Sequence, residues 1–465
     1  MKKGFLKFAF ILLSAAVVLS SCDEKVVVDP DAAEKDAPNE VIVKADITGT
    51  RNWVKDSVYI IKGQINVPGT LNIAPGTIIK GDKVTKGTLV ILPGGKINAV
   101  GTETQPIVFT SRMAPGLRAA GDWGGLIIVG KATSNQSNAS VEGLSREVKY
   151  SGGTDDADSS GKLKYVRIEF SGIALQPDKE TNGLTMCAVG SATEISHIQV
   201  SYCGDDSFEW FGGTVNAKYL ISYLGLDDEF DSDHGWRGKV QFAVAVRHPR
   251  VADVSTSNGF ESDNYNPGTT ATPKTAGVFS NVSVFGPFRK TTDGSVNAMY
   301  GAGMHIRRNS SISVFNSVFA GWNTGLLLDG TTTLANATAG DLAIQNVALI
   351  GSKVKAVNGA GSVTEQQALD FFNTASFKNT IIASNADAKI ESSFYDASKT
   401  GTEANPTSFI PGAGSALTAA GAGSFTHAKL QDAFFDKTAT YMGAFGTTDW
   451  TKAAWTNFDP QNTVY

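Results

Sequence analysis

Cysteine is nearly absent from this chain: three in 465 residues, at Cys22, Cys187 and Cys203. Five histidines (197, 234, 248, 305 and 427) stand at no zinc spacing, so a Cys/His zinc site is excluded. Charge is sparse as well, 18% of residues, with a net of −5 and no basic stripe, which leaves nucleic acid without a footprint. No glycine loop of the phosphate-binding kind follows a strand, and spacing supports no Ser/His/Asp set. The apolar run from Phe5 to Leu19 falls short of the ~20 residues that a membrane-spanning helix needs.

That run has the form of an export leader. Lys2 and Lys3 supply a basic start, and Phe5 to Leu19 supply an apolar stretch of secretory length. It closes on Leu19-Ser20-Ser21-Cys22, which resembles the lipobox of bacterial lipoproteins. The resemblance implies a signal peptide over 1–21 and a lipid on Cys22, the first residue of the mature chain. An acyl chain anchors without spanning. Asp23 and Glu24 directly afterwards resemble the acidic tag of surface-exported lipoproteins. Residues 22–42, rich in charge, Ala and Pro without a sustained period, read as a lipidated flexible tether. For Cys187 and Cys203, a disulfide and a pair of buried thiols both remain open.

The abundant features are glycine, 49 in all, and short alternating strands. INVPG (65–69), LNIAPG (71–76) and LVILPGG (89–95) are variants of one phrase, a strand closed by a Pro-Gly turn. A second phrase places Asn281, Asn316, Asn346 and Asn379 at intervals of 35, 30 and 33 residues. Such recurrence predicts an internal ladder of asparagine amides, with His197 taking the equivalent place in an earlier repeat. A third phrase occurs at Phe208-Glu209-Trp210-Phe211, Phe230-Asp231-Ser232-Asp233 and Phe260-Glu261-Ser262-Asp263, 22 and 30 residues apart. Strand phrases returning every 20–45 residues are the mark of a solenoid. The fold expected is all-β: a right-handed parallel β-helix over 43–425. A short helix follows the capping-box pattern Ser362–Glu365, and the aromatic segment 426–465 serves as a C-terminal cap over the open end.

The phrases LNIAPGTIIKG, GDWGGLIIVGKA, GDDSFEWFGG, DDEFDSDHGWRGKVQF and WTNFDPQN resemble a family of surface β-helix lipoproteins of the Bacteroidota. The resemblance spans nearly the whole mature chain. It implies the β-helix and a position on the outer membrane facing the exterior, and implies little about chemistry.

Candidate chemistry comes from the third phrase. Phe208, Phe230 and Phe260 point inward, so the next residues form an outward column of Glu209, Asp231, Glu261, His305 and Leu327. Two positions on, a second column holds Phe211, Asp233, Asp263, Arg307 and Asp329. Carboxylates on neighbouring coils, about 4.8 Å apart, repel by roughly 1 kcal/mol in water and several times more in a partly dry site. They must hold a cation, share protons or splay into solvent as a plain acidic stripe. The oxygen-only set of Glu209, Asp231 and Glu261, with Asp205 and Asp206 (and Asp227 and Asp228) just upstream, suits calcium. In the second column Arg307 is expected between Asp263 and Asp329. Asp233, Asp263, Arg307, Trp236 and Tyr265 are candidate ligand-binding residues. Trp123, Trp210, Trp236 and Tyr265 read either as a sugar-stacking platform or as coil-edge packing.

Gly204-Asp205-Asp206 and Asp233-His234-Gly235 loosely resemble two of the four short motifs of polygalacturonases. The other two are missing, and His305-Ile-Arg-Arg308 only approximates one of them. Three functions stay open: a non-catalytic binding module for an extracellular polymer or an outer-membrane partner such as a SusC/SusD-type importer, a calcium-assisted polysaccharide lyase or glycoside hydrolase with Arg307 or Arg308 as base, and an envelope spacer.

Overall fold

A computed structural model describes residues 39–150, 152–174 and 180–465; Cys22, the leader and nearly all of the tether lie outside the described residues. Among these residues, every strand pairing but one hairpin is parallel. One sheet runs in coil order from Glu40–Val43 through Val58–Ile61, Ile78–Gly81 and Ile107–Ser111 to Thr380–Ile382. A second stacks ten strands from Gln64–Val67 to Lys355–Ala360. A third face begins with Thr50–Trp53, Thr70–Ile73 and Lys96–Val100, then merges with the first through longer strands that bend. The architecture is a parallel β-helix, as the repeats predict. Its first strand starts at Glu40, three residues ahead of the expected tether boundary. No helix of the described residues is long and apolar enough to cross a membrane.

The register follows the third phrase. Phe208 pairs with Phe230, Phe230 with Phe260, and Phe260 with Met304. The phenylalanines are at most 1% exposed, with ring centroids 5.6 Å and 5.4 Å apart. Each buried ring contributes roughly 2–3 kcal/mol of apolar transfer.

The asparagine phrase has a different meaning from the one expected. Each long strand turns its corner on one residue with positive φ: Tyr165, His197, Tyr219, Phe242, Asn281, Asn316 and Asn346, all between 51° and 62°. Asparagine suits that left-handed bend because its short polar side chain tolerates it. The amides do not bond one another. Asn281 donates to the carbonyls of Ala439 and Tyr441 at 3.1 and 3.0 Å, and Asn316 accepts from Ser424 N–H at 2.8 Å. In the earlier coils rings fill the same column, Tyr165 on His197 and His197 on Tyr219, both at 4.5 Å. A true amide ladder stands elsewhere: Asn98 donates to Asn72 and Asn72 to Asn52, each at 2.9 Å.

The ends also differ from expectation. A helix absent from the sequence reading, α1 (Thr331–Ala339), follows the strand Thr324–Asp329. The predicted helix, α2 (Glu365–Phe372), is capped two residues later than expected, by Thr364 with Gln367, and lays Ala368, Phe371 and Phe372 on the core beside the last coil. Residues 426–465 are therefore not an end cap. With the segment before them they form a strap along the outside of the first sheet. Phe394 and Phe409 meet Phe285, Trp455 meets Tyr165 and His197 edge-on, and Arg118 donates to Thr463 O at 2.9 Å. The cause is the outward side of that sheet, where Ile221, Val244, Val246 and Val318 would leave an apolar face in water. Cys187 and Cys203 are free and buried, which removes the disulfide alternative.

Replacing Phe230 by Ala removes the middle ring of the stack. An expected loss of about 3–5 kcal/mol is checked by urea unfolding; a loss under about 1 kcal/mol would mean that the stack does not carry the core.

Candidate functional site

The corner leading from the first sheet to the second is passed by each coil in a turn of varying length: 202–207, 224–229 and 247–259. Immediately after it the in-register strands set Glu209 beside Asp231 and Asp231 beside Glu261, with His305 next in line. Among the described residues, ten carboxylates line a cleft of about 600 Å³ at this place. They are the three of the column, Asp205, Asp206, Asp227 and Asp228 from the first two turns, Asp253 from the third, and Glu142 and Glu180 from two loops. Among the described residues, Arg307 is the one cation in the lining.

Three sets of acids each have oxygens within 4.8 Å of one another: Asp205, Asp206 and Asp227; Asp206, Glu209 and Asp231; Asp228, Asp231 and Glu261. Asp206 and Asp231 belong to two sets apiece, so the sets form a chain rather than separate clusters. Local bonds fix the geometry. Asp206 Oδ1 accepts the Asp228 N–H at 2.8 Å, Asp227 Oδ2 accepts Ser255 Oγ–H at 2.7 Å, and the Asn182 amide donates to Glu209 Oε2. Buried oxygens of Asp231 and Asp227 have no protein partner.

Burial first, and neighbouring carboxylates second, hold Glu209, Asp231, Asp206 and Asp205 well above the ordinary carboxylate range. Asp228 is raised in the same way, by burial and Asp227. Burial pushes Asp227 up to about 6 and Glu261 up to about 7, the latter against the pull of Arg307. An all-oxygen donor set of this kind can hold a hard metal cation, which would take the place of the shared protons.

The second column is neutralised from within. Arg307 Nε donates to Asp263 at 2.8 Å while its Nη2 reaches Glu261, and Arg308 also pairs with Asp263. The expected Arg307–Asp329 contact is replaced by a different one: Asp329 faces His305 Nε2 at 3.2 Å. Asp233 accepts the His234 N–H at 2.6 Å and, with burial and Asp263 acting on it, is pushed up to about 7. Tyr265 lies 5.6 Å from the His234 ring. Of the five candidate ligand-binding residues, Arg307 alone lines the cleft.

Trp236 is not a platform. It is fully buried, stacks on Trp210 at 4.9 Å, and crowds Gly277 so closely that a Cβ there would sit 1.9 Å from its ring. Trp123 and Trp210 are equally buried, so no sugar-stacking surface exists at these positions. For Trp210 the strand period already gave the answer, since it shares the inward parity of Phe208. Of the two polygalacturonase-like triplets, only Asp205-Asp206 reaches the cleft. Asp253, Glu142 and Glu180 went unnoticed in the sequence because they come from loops of irregular length, where no period marks them.

Residues 45–403 match the family described as a pectate-lyase like beta helix domain, and the chain belongs to that family. No curated protein and no solved structure matches it.

A pH dependence follows. The clustered carboxyls bind protons more tightly folded than unfolded, so their stabilisation is complete below about pH 4 and fades as pH rises through 6 to 7, where Asp227 and Glu261 ionise. In chelator, melting temperature is expected to fall between pH 5 and pH 7.5, and Asp231→Asn to flatten the fall. An unchanged slope in that variant would show that the column does not repel.

Proposed function

From this family membership and the geometry of the cleft, we propose that the protein binds calcium and, through the bound ion, holds an acidic polysaccharide as a non-catalytic module. The observation that carries the reading is the chain of three carboxylate sets joined by Asp206 and Asp231. Glu209, Asp231 and Glu261, with Asp205 and Asp206, would supply the oxygens that calcium takes six to eight at a time in flexible geometry. A polymer bearing carboxylates would fill positions that the protein leaves open. Bare, the cleft would repel such a polymer, so binding is expected to require the ion.

The pairing of both arginines beside the cleft supports binding over turnover. Arg307 is engaged by Glu261 and Asp263, and Arg308 by Asp263. A second reading, a calcium-assisted lyase or glycoside hydrolase, draws on Glu209 and Asp231, adjacent carboxyls that burial and neighbouring carboxylates hold above the ordinary carboxylate range. It predicts turnover of polygalacturonate, followed by ultraviolet absorbance or new reducing ends.

The same proposal includes a lipid on Cys22, a site on the outer membrane facing the cell exterior, and an extracellular glycan or a SusC/SusD-type importer as partner. Cys22→Ala is expected to move the protein from the membrane fraction to the soluble one; unchanged fractionation removes the anchor.

Calorimetry with calcium chloride on the full-length protein tests the core of the proposal. Saturable binding is expected, weakened at least 100-fold when Glu209, Asp231 and Glu261 become Gln, Asn and Gln. Equal heats from parent and variant would sink it.

A further inference from the structure

The corner that carries the acidic cleft has a second hollow on the far side of one loop. Residues 247–259 form the wall between them. Asp253, Ser255 and Thr256 line the cleft, while Pro249 and Arg250 line a groove of about 520 Å³. Arg289 and Lys290, from the next turn of the same corner, and Tyr395, from the strap, complete that groove.

Its charge has the opposite sign. Arg250 is exposed and has no carboxylate partner among the described residues. Lys290 is exposed, with Glu391 4.0 Å away at the limit of an ion pair. Asp293 turns one oxygen to the Lys290 backbone N–H at 2.9 Å, and Asp396 is taken by Arg289. The Tyr395 ring rests on His248, centroids 4.9 Å apart, and stays half-exposed at the groove.

Successive turns of one corner lie in line along the stacking axis, about 4.8 Å per coil. The cleft and the groove are therefore neighbours on one line, joined by the loop 247–259 that contributes to both. A chain that meets carboxylates on one side of this loop meets guanidinium and ammonium groups on the other. Arg offers a planar fork that matches a sugar carboxylate, and a tyrosine face accepts the C–H side of a sugar ring.

We propose that the groove of Arg250, Lys290 and Tyr395 is a second subsite for a uronate polymer, one that binds its carboxylates directly and without calcium. The inference rests on the reading of the cleft as the calcium-dependent half of the same path. It assigns different work to the two hollows: the ion sets the calcium requirement, and the groove sets the dependence on chain length and salt.

The test is calorimetric titration of the full-length protein with oligogalacturonates and oligoalginates of increasing length, in calcium and in chelator. Parent is compared with Arg250→Ala/Lys290→Ala and Arg250→Glu/Lys290→Glu. Both positions are exposed, and melting curves confirm folding. The expected result is at least tenfold weaker binding of long oligomers by the charge-reversed variant, less by the alanine variant, with disaccharide binding and calcium affinity unchanged. Long-oligomer affinities within twofold of the parent overturn the inference, as does a calcium-loaded parent that binds neither polymer. If calcium fails to bind while oligomers still bind in an Arg250-dependent way, the groove stands and the reading of the cleft falls.

Discussion

The structure depends on one constraint: each coil is hydrogen-bonded to the next in parallel register, so residues at the same point of successive coils sit about 4.8 Å apart. Like is stacked on like whether or not it benefits. Phe208, Phe230 and Phe260 gain a continuous apolar column. Asn52, Asn72 and Asn98 gain amide bonds. Glu209, Asp231 and Glu261 gain repulsion, and they alternate along the same strands as the phenylalanines. The site and the core are therefore products of a single register, and neither can slip without the other.

Cations are available to this region, and their distribution is selective. In the run Asp227-Asp228-Glu229, the glutamate turns inside and pairs with Arg247, both side chains fully buried, with Arg247 Nε donating to Tyr300 Oη at 3.2 Å. The two aspartates face the cleft. Arg307 and Arg308 are likewise spent on Asp263 and the edge of Glu261. Among the described residues, acidic side chains are concentrated in this one place, an oxygen donor set that could hold a metal ion.

What was legible in the sequence was whatever the repeat repeats. The coil register, the inward rings and the acidic column follow from a period of two along strands and a return every two or three dozen residues. The asparagine phrase was visible as a repeat, but its cause, a left-handed bend at Asn281, Asn316 and Asn346, is a backbone property that side-chain pattern does not carry. Glu142, Glu180 and Asp253 escaped because loops obey no period. The strap escaped although its sign was present: Phe242-Ala-Val-Ala-Val246 is apolar on both parities, as a strand covered on both faces must be.

The strap changes what kind of object the solenoid is. In a bare stack each coil touches only its neighbours, so an end can peel away one coil at a time. Here a single run of chain is tied to Asn316, Gln241, Asn281 and Gln199 in turn, and finally to Arg118 in an early coil. Coils between Arg118 and Asn316 cannot separate without breaking ties that also hold their neighbours. The one-dimensional stack thereby acquires the all-or-none cooperativity of a globule, and a load applied at one end is shared along its length.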